Sequence, residues 1–203
     1  MLLRLTGCLL TLVLVGCGSS TAKPTPPATE TPVVQALSQY CLSESDHPVA
    51  VRFAGMNGKV VGGGSTGVVI ANQSGNNVCP WQPLVRRLLQ VGGFRIRVYF
   101  FATGHTDDVL AASEELRRQS VQRLALVGAS IGGAAVMVAG TRLQPPPAAV
   151  VSLSGEQQEP GMNALRAAPE LKAPTLIVAG EEDPLLTRQE ARTLLDAVAA
   201  PEK

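Results

Sequence analysis

Histidine and aromatic side chains are scarce in this chain of 203 residues, and each shortage excludes something. The two histidines, His47 and His105, are distant from one another in the sequence, so with the few cysteines they offer no spacing typical of a metal site. No cofactor is expected. One tryptophan, two tyrosines and four phenylalanines are too few to favour a large apolar cap over a binding site.

A surplus of charge of either sign is lacking as well. Charged residues make up 16% of the chain and the formal net charge is +1, a balance that favours neither nucleic acid nor an acidic partner. The arginine pairs Arg86-Arg87 and Arg117-Arg118 are typical of the solvated faces of helices. Beyond the amino-terminal segment, no run of residues is apolar enough to predict a membrane-spanning helix.

The amino-terminal segment is typical of an export signal. Met1–Gly16 has one positive side chain, Arg4, and then an apolar run, Leu9–Val15, that is too short to span a bilayer. Leu14-Val15-Gly16-Cys17 resembles a bacterial lipobox, which implies cleavage before Cys17 and a lipid on its thiol. An ordinary secretory signal, with Cys17 as a bystander, is the alternative.

The residues after Cys17 favour the lipid-anchored interpretation. Gly18 to Pro32 is rich in serine, threonine and proline and cannot bury a core, so it predicts an extended tether. We therefore expect a signal at residues 1–16, a lipidated tether at 17–40 and one folded domain at 41–203. The expected location is the bacterial cell envelope, outside the cytoplasm, with the membrane as a partner through the lipid on Cys17.

Two cysteines, Cys41 and Cys79, remain in the expected domain. An extracytoplasmic compartment permits disulfides. A bridge between these two would fasten the segment before the first strand to the loop after the third, and two free buried thiols are the alternative.

Strands and helices alternate from Val49 onward. Strands are expected at Val49–Phe53, Lys59–Val61, Gly67–Ala71, Arg95–Phe101, Arg123–Val127, Ala148–Leu153 and Pro174–Ala179, and helices at Gln82–Val91, Asp107–Gln119, Ala134–Gly140 and Thr187–Ala200. A hairpin turn is expected at Met56-Asn57-Gly58, because Asn-Gly favours such turns. The alternation predicts an α/β fold with a doubly wound, mostly parallel sheet covered on both faces.

The most informative motif is Gly128-Ala129-Ser130-Ile131-Gly132-Gly133, which follows the apolar run Leu124–Val127. Gly-x-Ser-x-Gly at a strand-to-helix turn is a nucleophile elbow, in which glycines permit a turn too tight for flanking side chains. The turn exposes the serine hydroxyl at the amino end of the next helix, where backbone N–H groups and the helix dipole can stabilise an oxyanion. A small-residue turn without catalytic role is the alternative.

Four segments give the chain a resemblance to the α/β-hydrolase superfamily, and within it to the small bacterial group related to dienelactone hydrolases and esterase-like lipoproteins. They are Gly67–Gln73, Cys79-Pro80-Trp81, Gly128–Gly133 and Pro174–Asp183, and the resemblance extends from Val49 to Lys203. The serine and Asp183 segments in this order are specific together, whereas the other two are weak alone.

The resemblance implies that Ser130 is a nucleophile whose Oγ attacks a carbonyl carbon to form an acyl-enzyme. It also implies two oxyanion donors. One is the N–H of Ile131, and the other is the N–H of Gln73, with that of Ser74 as second choice. The loop Asn72–Gly75 is interpreted equally well as a polar connecting turn.

Asp183 follows a strand and precedes Pro184, where the resemblance places the acid that orients a histidine. A solvated loop carboxylate beside Glu181 and Glu182 is the alternative interpretation. Glu156, after the preceding strand, is the reserve candidate for the acid.

The histidine of such a triad follows a last strand beyond the acid. Here the helix Thr187–Ala200, whose capping box pairs Thr187 with Glu190, is followed by Pro201-Glu202-Lys203 alone. We therefore expect a domain that is incomplete at its carboxyl end, without its last strand and its base. His47 is expected in a surface turn, and His105, on the correct edge of the sheet, is the remaining candidate for a base.

Together these features imply a membrane-tethered serine hydrolase that acts on carboxylic ester-type bonds of a small-molecule substrate. Because triad members act as a unit, the expected activity without a base is strongly impaired. The alternative is a non-catalytic lipoprotein that uses the remaining pocket to bind a small molecule or a protein partner.

Overall fold

A seven-stranded sheet is the centre of the fold in the computed structural model, which describes residues 40–75, 78–99 and 105–203. The strands are β1 (Val49–Phe53), β2 (Met56–Val61), β3 (Thr66–Ala71), β4 (Phe94–Tyr99), β5 (Arg123–Ala129) and β6 (Ala149–Leu153), then the short hairpin β7 (Gln158–Glu159) and β8 (Met162–Asn163), and β9 (Thr175–Val178). The sheet order is β1-β2-β4-β3-β5-β6-β9, and the hairpin stands apart. Strands β4, β3, β5, β6 and β9 run parallel, whereas β1 and β2 pair antiparallel. The predicted mostly parallel sheet is therefore confirmed.

Five α-helices flank this sheet in the described part of the chain. They are α1 (Gln82–Val91), α2 (Thr106–Arg118), α3 (Ile131–Arg142), α4 (Ala164–Ala167) and α5 (Arg188–Ala197). The predicted capping box of α5 is present: the N–H of Glu190 donates to Thr187 Oγ1 at 3.2 Å, and the N–H of Thr187 donates to Glu190 Oε2 at 2.9 Å. None of these helices is both long and apolar enough to cross a membrane.

Two apolar cores, one on each face of the sheet, explain the continuous apolar run of β3. Val69 and Ala71 belong to the core formed with α2, α3 and α5, while Val68 and Ile70 belong to the core formed with Trp81 and α1. All four side chains are buried. A strand buried on both faces needs apolar side chains at every position, because alternate side chains point to opposite faces.

The hairpin between β1 and β2 differs from the sequence-based expectation. Phe53 pairs with Met56, so the turn is Ala54-Gly55, whereas Asn57 and Gly58 lie inside β2. Both turn residues have positive φ, 45° and 78°, as a two-residue turn that matches the twist of its strands requires. Met56 is buried in the core, so its burial outweighs the turn preference of Asn-Gly.

The bounds of β1 and α1 are as expected, and the other elements differ from expectation by one to a few residues. The fourth strand is observed as Phe94–Tyr99, and residues 100 and 101 lie outside the described residues. The small-residue helix is longer than expected, Ile131–Arg142, and the last helix ends at Ala197. The signal, Cys17 and the tether up to residue 39 also lie outside the described residues.

The predicted bridge between Cys41 and Cys79 is present, with Cα atoms 5.2 Å apart. It joins the segment before β1 to the start of a 3-10 turn, Cys79–Trp81, that leads into α1. The Nε2 of Gln82 also donates to the backbone oxygen of Cys41 at 2.5 Å. The entry to the domain is therefore fastened to the helix that covers one face of the sheet.

Strand β9 is the edge of the sheet on the α5 side of the described structure. Leu176 and Val178 are 55% and 45% exposed there, which is unusual for strand residues of these types. The N–H of Thr175 donates to the backbone oxygen of Glu202 at 3.0 Å. The segment after α5 thus returns to the amino end of β9.

Candidate active site

Ser130 occupies the turn between β5 and α3, as the sequence predicts. Its backbone has φ 51° and ψ −124°, a combination that side-chain-bearing residues rarely adopt and that costs about 1–3 kcal/mol. The N–H of Ser130 donates to the backbone oxygen of Leu153 at 2.9 Å, which ties the turn to the end of β6. Its side chain makes no capping hydrogen bond to α3 and is partly exposed. The hydroxyl is therefore held at the carboxyl edge of the sheet by a strained backbone.

The glycines around Ser130 are required by close backbone contacts. A Cβ on Gly128 would lie 2.1 Å from the oxygen of Gly132, so strand and helix approach too closely for a side chain. A Cβ on Gly132 would lie 2.1 Å from the oxygen of Ala71, at the end of β3. The elbow is thus wedged between its own strand and the neighbouring one.

The first amides of α3 directly follow Ser130, at the helix end where the dipole favours a negative charge. The N–H groups of Ile131 and Gly132 stand before the first complete helical turn and have no acceptor earlier in the helix. By contrast, the N–H of Gly133 already donates to the oxygen of Ser130 at 2.8 Å. Ile131 is the first residue of α3 and directly follows Ser130, as the sequence predicts. Its role as an oxyanion donor stays a prediction.

The loop that carries Gln73 lies against the elbow. A Cβ on Gly132 would come within 2.7 Å of the oxygen of Asn72, the residue before Gln73. The Asn72 side chain is fully buried, and its Nδ2 donates to the oxygen of Gln73 at 3.0 Å, while its Oδ1 has no hydrogen-bond partner. The structure therefore brings the loops of Gln73 and Ile131 together, and the donor role of Gln73 stays a prediction.

Asp183 lies at the same edge of the sheet as Ser130. It follows β9, which is parallel to β6 and β5, so all three strands end at this edge. Its Oδ1 accepts hydrogen bonds from the N–H groups of Leu185, at 2.9 Å, and Leu186, at 3.2 Å. The side chain of Ser154 first, and then these N–H groups, lower the pKa of Asp183, so it carries a negative charge at neutral pH.

Glu156, the reserve acid, has the opposite electrostatic character. Burial, a hydrogen bond with Glu159 and the negative charges of Glu159 and Asp183 all raise its pKa. A carboxyl group that resists ionisation is less suited than Asp183 to stabilise a protonated imidazole. Across the described residues, no three His, Cys, Asp or Glu side chains are grouped so that they could hold a metal ion.

The order of the strands argues against both histidines as the base. His47 ends the 3-10 turn before β1, at the opposite edge of the sheet from β9. His105 is the residue before α2 and follows β4, which is four strand positions from β9. At about 4.8 Å per position, the ends of β4 and β9 are about 19 Å apart, whereas one imidazole must contact both acid and nucleophile. The Nδ1 of His105 is buried without a partner.

Comparison with known proteins agrees with this geometry. Residues 101–203 match the model of the dienelactone hydrolase family. The chain belongs to this family. The matched region contains both Ser130 and Asp183, and family membership makes the protein an ester-hydrolysing α/β hydrolase. No curated protein sequence matches the chain.

Solved structures share the fold at low sequence identity. An enol-lactonase from Burkholderia xenovorans has a TM-score of 0.62 and 17% identity, over 74% of this chain and 88% of its own. A dienelactone hydrolase from Anabaena variabilis has a TM-score of 0.62 and 22% identity, over 76% and 82%. An esterase from Pyrococcus furiosus has a TM-score of 0.63 and 13% identity, over 76% and 78%. All three support the α/β-hydrolase fold of this family member.

Ser154 is the residue at this edge that the sequence analysis did not single out. It follows β6 directly, has a positive φ of 48°, and its side chain is the first of the groups that lower the pKa of Asp183. The signal was present in the sequence, because Ser152-Leu153-Ser154-Gly155 places small polar residues at the end of an apolar strand. Such residues after parallel strands collect at the edge where ligands bind in α/β folds.

Proposed function

We propose that this family member is a serine hydrolase that cleaves carboxylic ester-type bonds of small molecules through an acyl-enzyme on Ser130. The observation that carries the proposal is the strained turn at Ser130, φ 51°, where the first free amides of α3 begin. Strain of this kind, at a residue whose hydroxyl is left without a capping bond, is characteristic of a nucleophile held for attack.

The chemistry divides between groups at this edge. Ser130 Oγ bonds to the carbonyl carbon while its proton passes to a base, and the N–H of Ile131 and that of Gln73 stabilise the oxyanion. The alcohol leaves with the proton, and water then attacks the acyl-enzyme, which releases the acid and restores the Ser130 hydroxyl. Asp183, held ionised, would orient and charge-stabilise an imidazole base.

Neither His47 nor His105 lies where it could act as the base. Their positions support the proposal that the activity is impaired. The same observation favours the alternative function, a non-catalytic protein that keeps the site for binding a small molecule. The two functions differ in one property. Only the hydrolase needs a Ser130 hydroxyl more reactive than an ordinary serine.

Covalent labelling of Ser130 tests the proposed function. We expect a fluorophosphonate probe to modify Ser130 slowly and selectively, as mapped by peptide mass spectrometry, and faster when imidazole is added as an external base. Ser130→Ala should abolish the modification, whereas Ser120→Ala, at an exposed serine after α2, should not change it. Equal labelling of Ser130 and surface serines, with and without imidazole, would favour the binding protein instead.

We further propose that the protein is exported, lipidated on Cys17 and anchored to the bacterial envelope through the tether at residues 17–40. The lipobox-like Leu14-Val15-Gly16-Cys17 and the Ser/Thr/Pro-rich segment after it support this proposal. A disulfide between Cys41 and Cys79 is consistent with an oxidising compartment outside the cytoplasm.

Fractionation of bacterial cells tests the anchor. We expect the native protein and Cys8→Ser in the membrane fraction, with a lipid mass on Cys17, because Cys8 lies in the segment that cleavage removes. Cys17→Ser should lose both the lipid mass and the membrane association. An unmodified Cys17 thiol in mature protein would contradict the proposal.

A further inference from the structure

Two serines with positive φ stand at the ends of adjacent strands. Ser130 directly follows β5 and has a φ of 51°, and Ser154 directly follows β6 and has a φ of 48°. The N–H of Ser130 donates to the oxygen of Leu153, the residue before Ser154, at 2.9 Å. The residue before Ser154 is therefore hydrogen-bonded directly to the turn that carries the nucleophile.

Ser154 also connects to the strand before Asp183. Its N–H donates to the oxygen of Val178, the last residue of β9, at 2.7 Å, which places the Ser154 side chain at the strand end that leads to Asp183. Two further donors, the N–H groups of Leu185 and Leu186, belong to the same loop as Asp183. Ser154 thus joins the end of β9, from which this loop starts, to the end of β6.

The charged groups around Asp183 make the nearby Ser154 hydroxyl consequential. Glu156, two residues after Ser154, lies close enough to Asp183 for the Asp183 charge to raise the Glu156 pKa, and Glu159 is hydrogen-bonded to Glu156. Like charges nearby disfavour a second carboxylate, whereas a hydroxyl donor favours it. The Ser154 hydroxyl is the first of the causes that lower the pKa of Asp183.

We propose that Ser154 is a positioning residue of the site, whose positive-φ backbone and hydroxyl hold the Asp183 carboxylate at the end of β6, next to the strand of Ser130. The proposal rests on the proposed function in taking Asp183 as the orienting acid. Ser154 acts through Asp183 and does not touch the substrate. The positive φ of Ser154 turns the chain at the end of β6, in a conformation that residues with a side chain rarely adopt.

Carbon-13 NMR titration of the aspartate carboxyl groups tests the contact without any need for catalysis. We expect Ser154→Gly, which suits a positive φ and removes only the hydroxymethyl group, to raise the pKa of Asp183. Ser120→Gly is the matched control, because Ser120 also has a positive φ, 65°, and lies at the end of α2. It should leave the pKa of Asp183 unchanged. An unchanged pKa in Ser154→Gly would overturn the proposal.

A second measurement separates this proposal from the proposed function. We expect Ser154→Gly to lower the imidazole-dependent rate of Ser130 labelling severalfold and to leave the imidazole-independent rate unchanged, because Asp183 acts only through the imidazole. If the Asp183 pKa rises but Ser130 is not labelled selectively, the result supports the contact between Ser154 and Asp183 and contradicts the hydrolase function. Equal losses of both rates would show a general structural role and overturn the positioning role.

Discussion

Protein of these 203 residues should hydrolyse a simple activated ester barely above the rate in buffer, and Ser130→Ala should change that rate little. The reason is that neither His47 nor His105 lies where it could accept the proton of Ser130. Ser130 and Asp183 share the carboxyl edge of the sheet, but His105 follows β4, on the far side of Ser130 from Asp183. Loss of one triad member removes most of the catalysis that the group provides together.

An added base should restore the reaction by several orders of magnitude. The oxygen of Glu202 already accepts a hydrogen bond from the N–H of Thr175, so a strand designed to follow Lys203 could pair in parallel with β9. A histidine placed after that strand would lie at the same edge as Asp183. The measurement is kcat/KM for the extended protein, with the same extension carrying glutamine for histidine as the control.

His105 offers the outcome that would contradict this account. If the chain without an extension turns over the ester briskly, and both Ser130→Ala and His105→Ala abolish that turnover, then His105 is the base. The ends of β4 and β9 are about 19 Å apart by the strand order, so His105 would then have to move toward Ser130 and Asp183.

Gly132→Ala should destabilise the domain severely or prevent its folding. The new Cβ would lie 2.1 Å from the oxygen of Ala71 and 2.7 Å from that of Asn72, and both belong to a buried backbone that has no room to move. Overpacking in a core typically costs about 1–3 kcal/mol and occasionally more, and a clash with backbone belongs at or above the upper end. Urea unfolding measures the loss of unfolding free energy.

Gly63→Ala is the matched control for this substitution. A Cβ at Gly63 meets nothing within 4 Å, and its φ is not in the positive range. We expect a change in unfolding free energy of less than about 0.5 kcal/mol there. Equal stability of the two variants would mean that the elbow does not contact the loop after β3.

Short-range patterns in the sequence were sufficient to predict the parts of the site that lie within a single segment of the chain. The elbow needs only an apolar strand, a serine and flanking glycines, and the structure explains Gly128 by a contact within the turn and Gly132 by a contact with the end of β3. The capping box of Thr187 and Glu190 is equally local. By contrast, the Asn57-Gly58 turn was predicted wrongly, because the burial of Met56 sets the register of that hairpin from outside it.

Patterns in the sequence alone predicted the α/β class, the strand-to-helix turn at Ser130 and the carboxylate after a later strand. Strand order was decided only by the tertiary structure, because parallel strands far apart in sequence become neighbours through crossovers that local pattern does not specify. That order places Ser154 between Ser130 and Asp183 and leaves His105 on the other side of the nucleophile. The lowered pKa of Asp183 and the raised pKa of Glu156 likewise depend on contacts between separate loops, since a pKa responds to every charge and donor brought within reach.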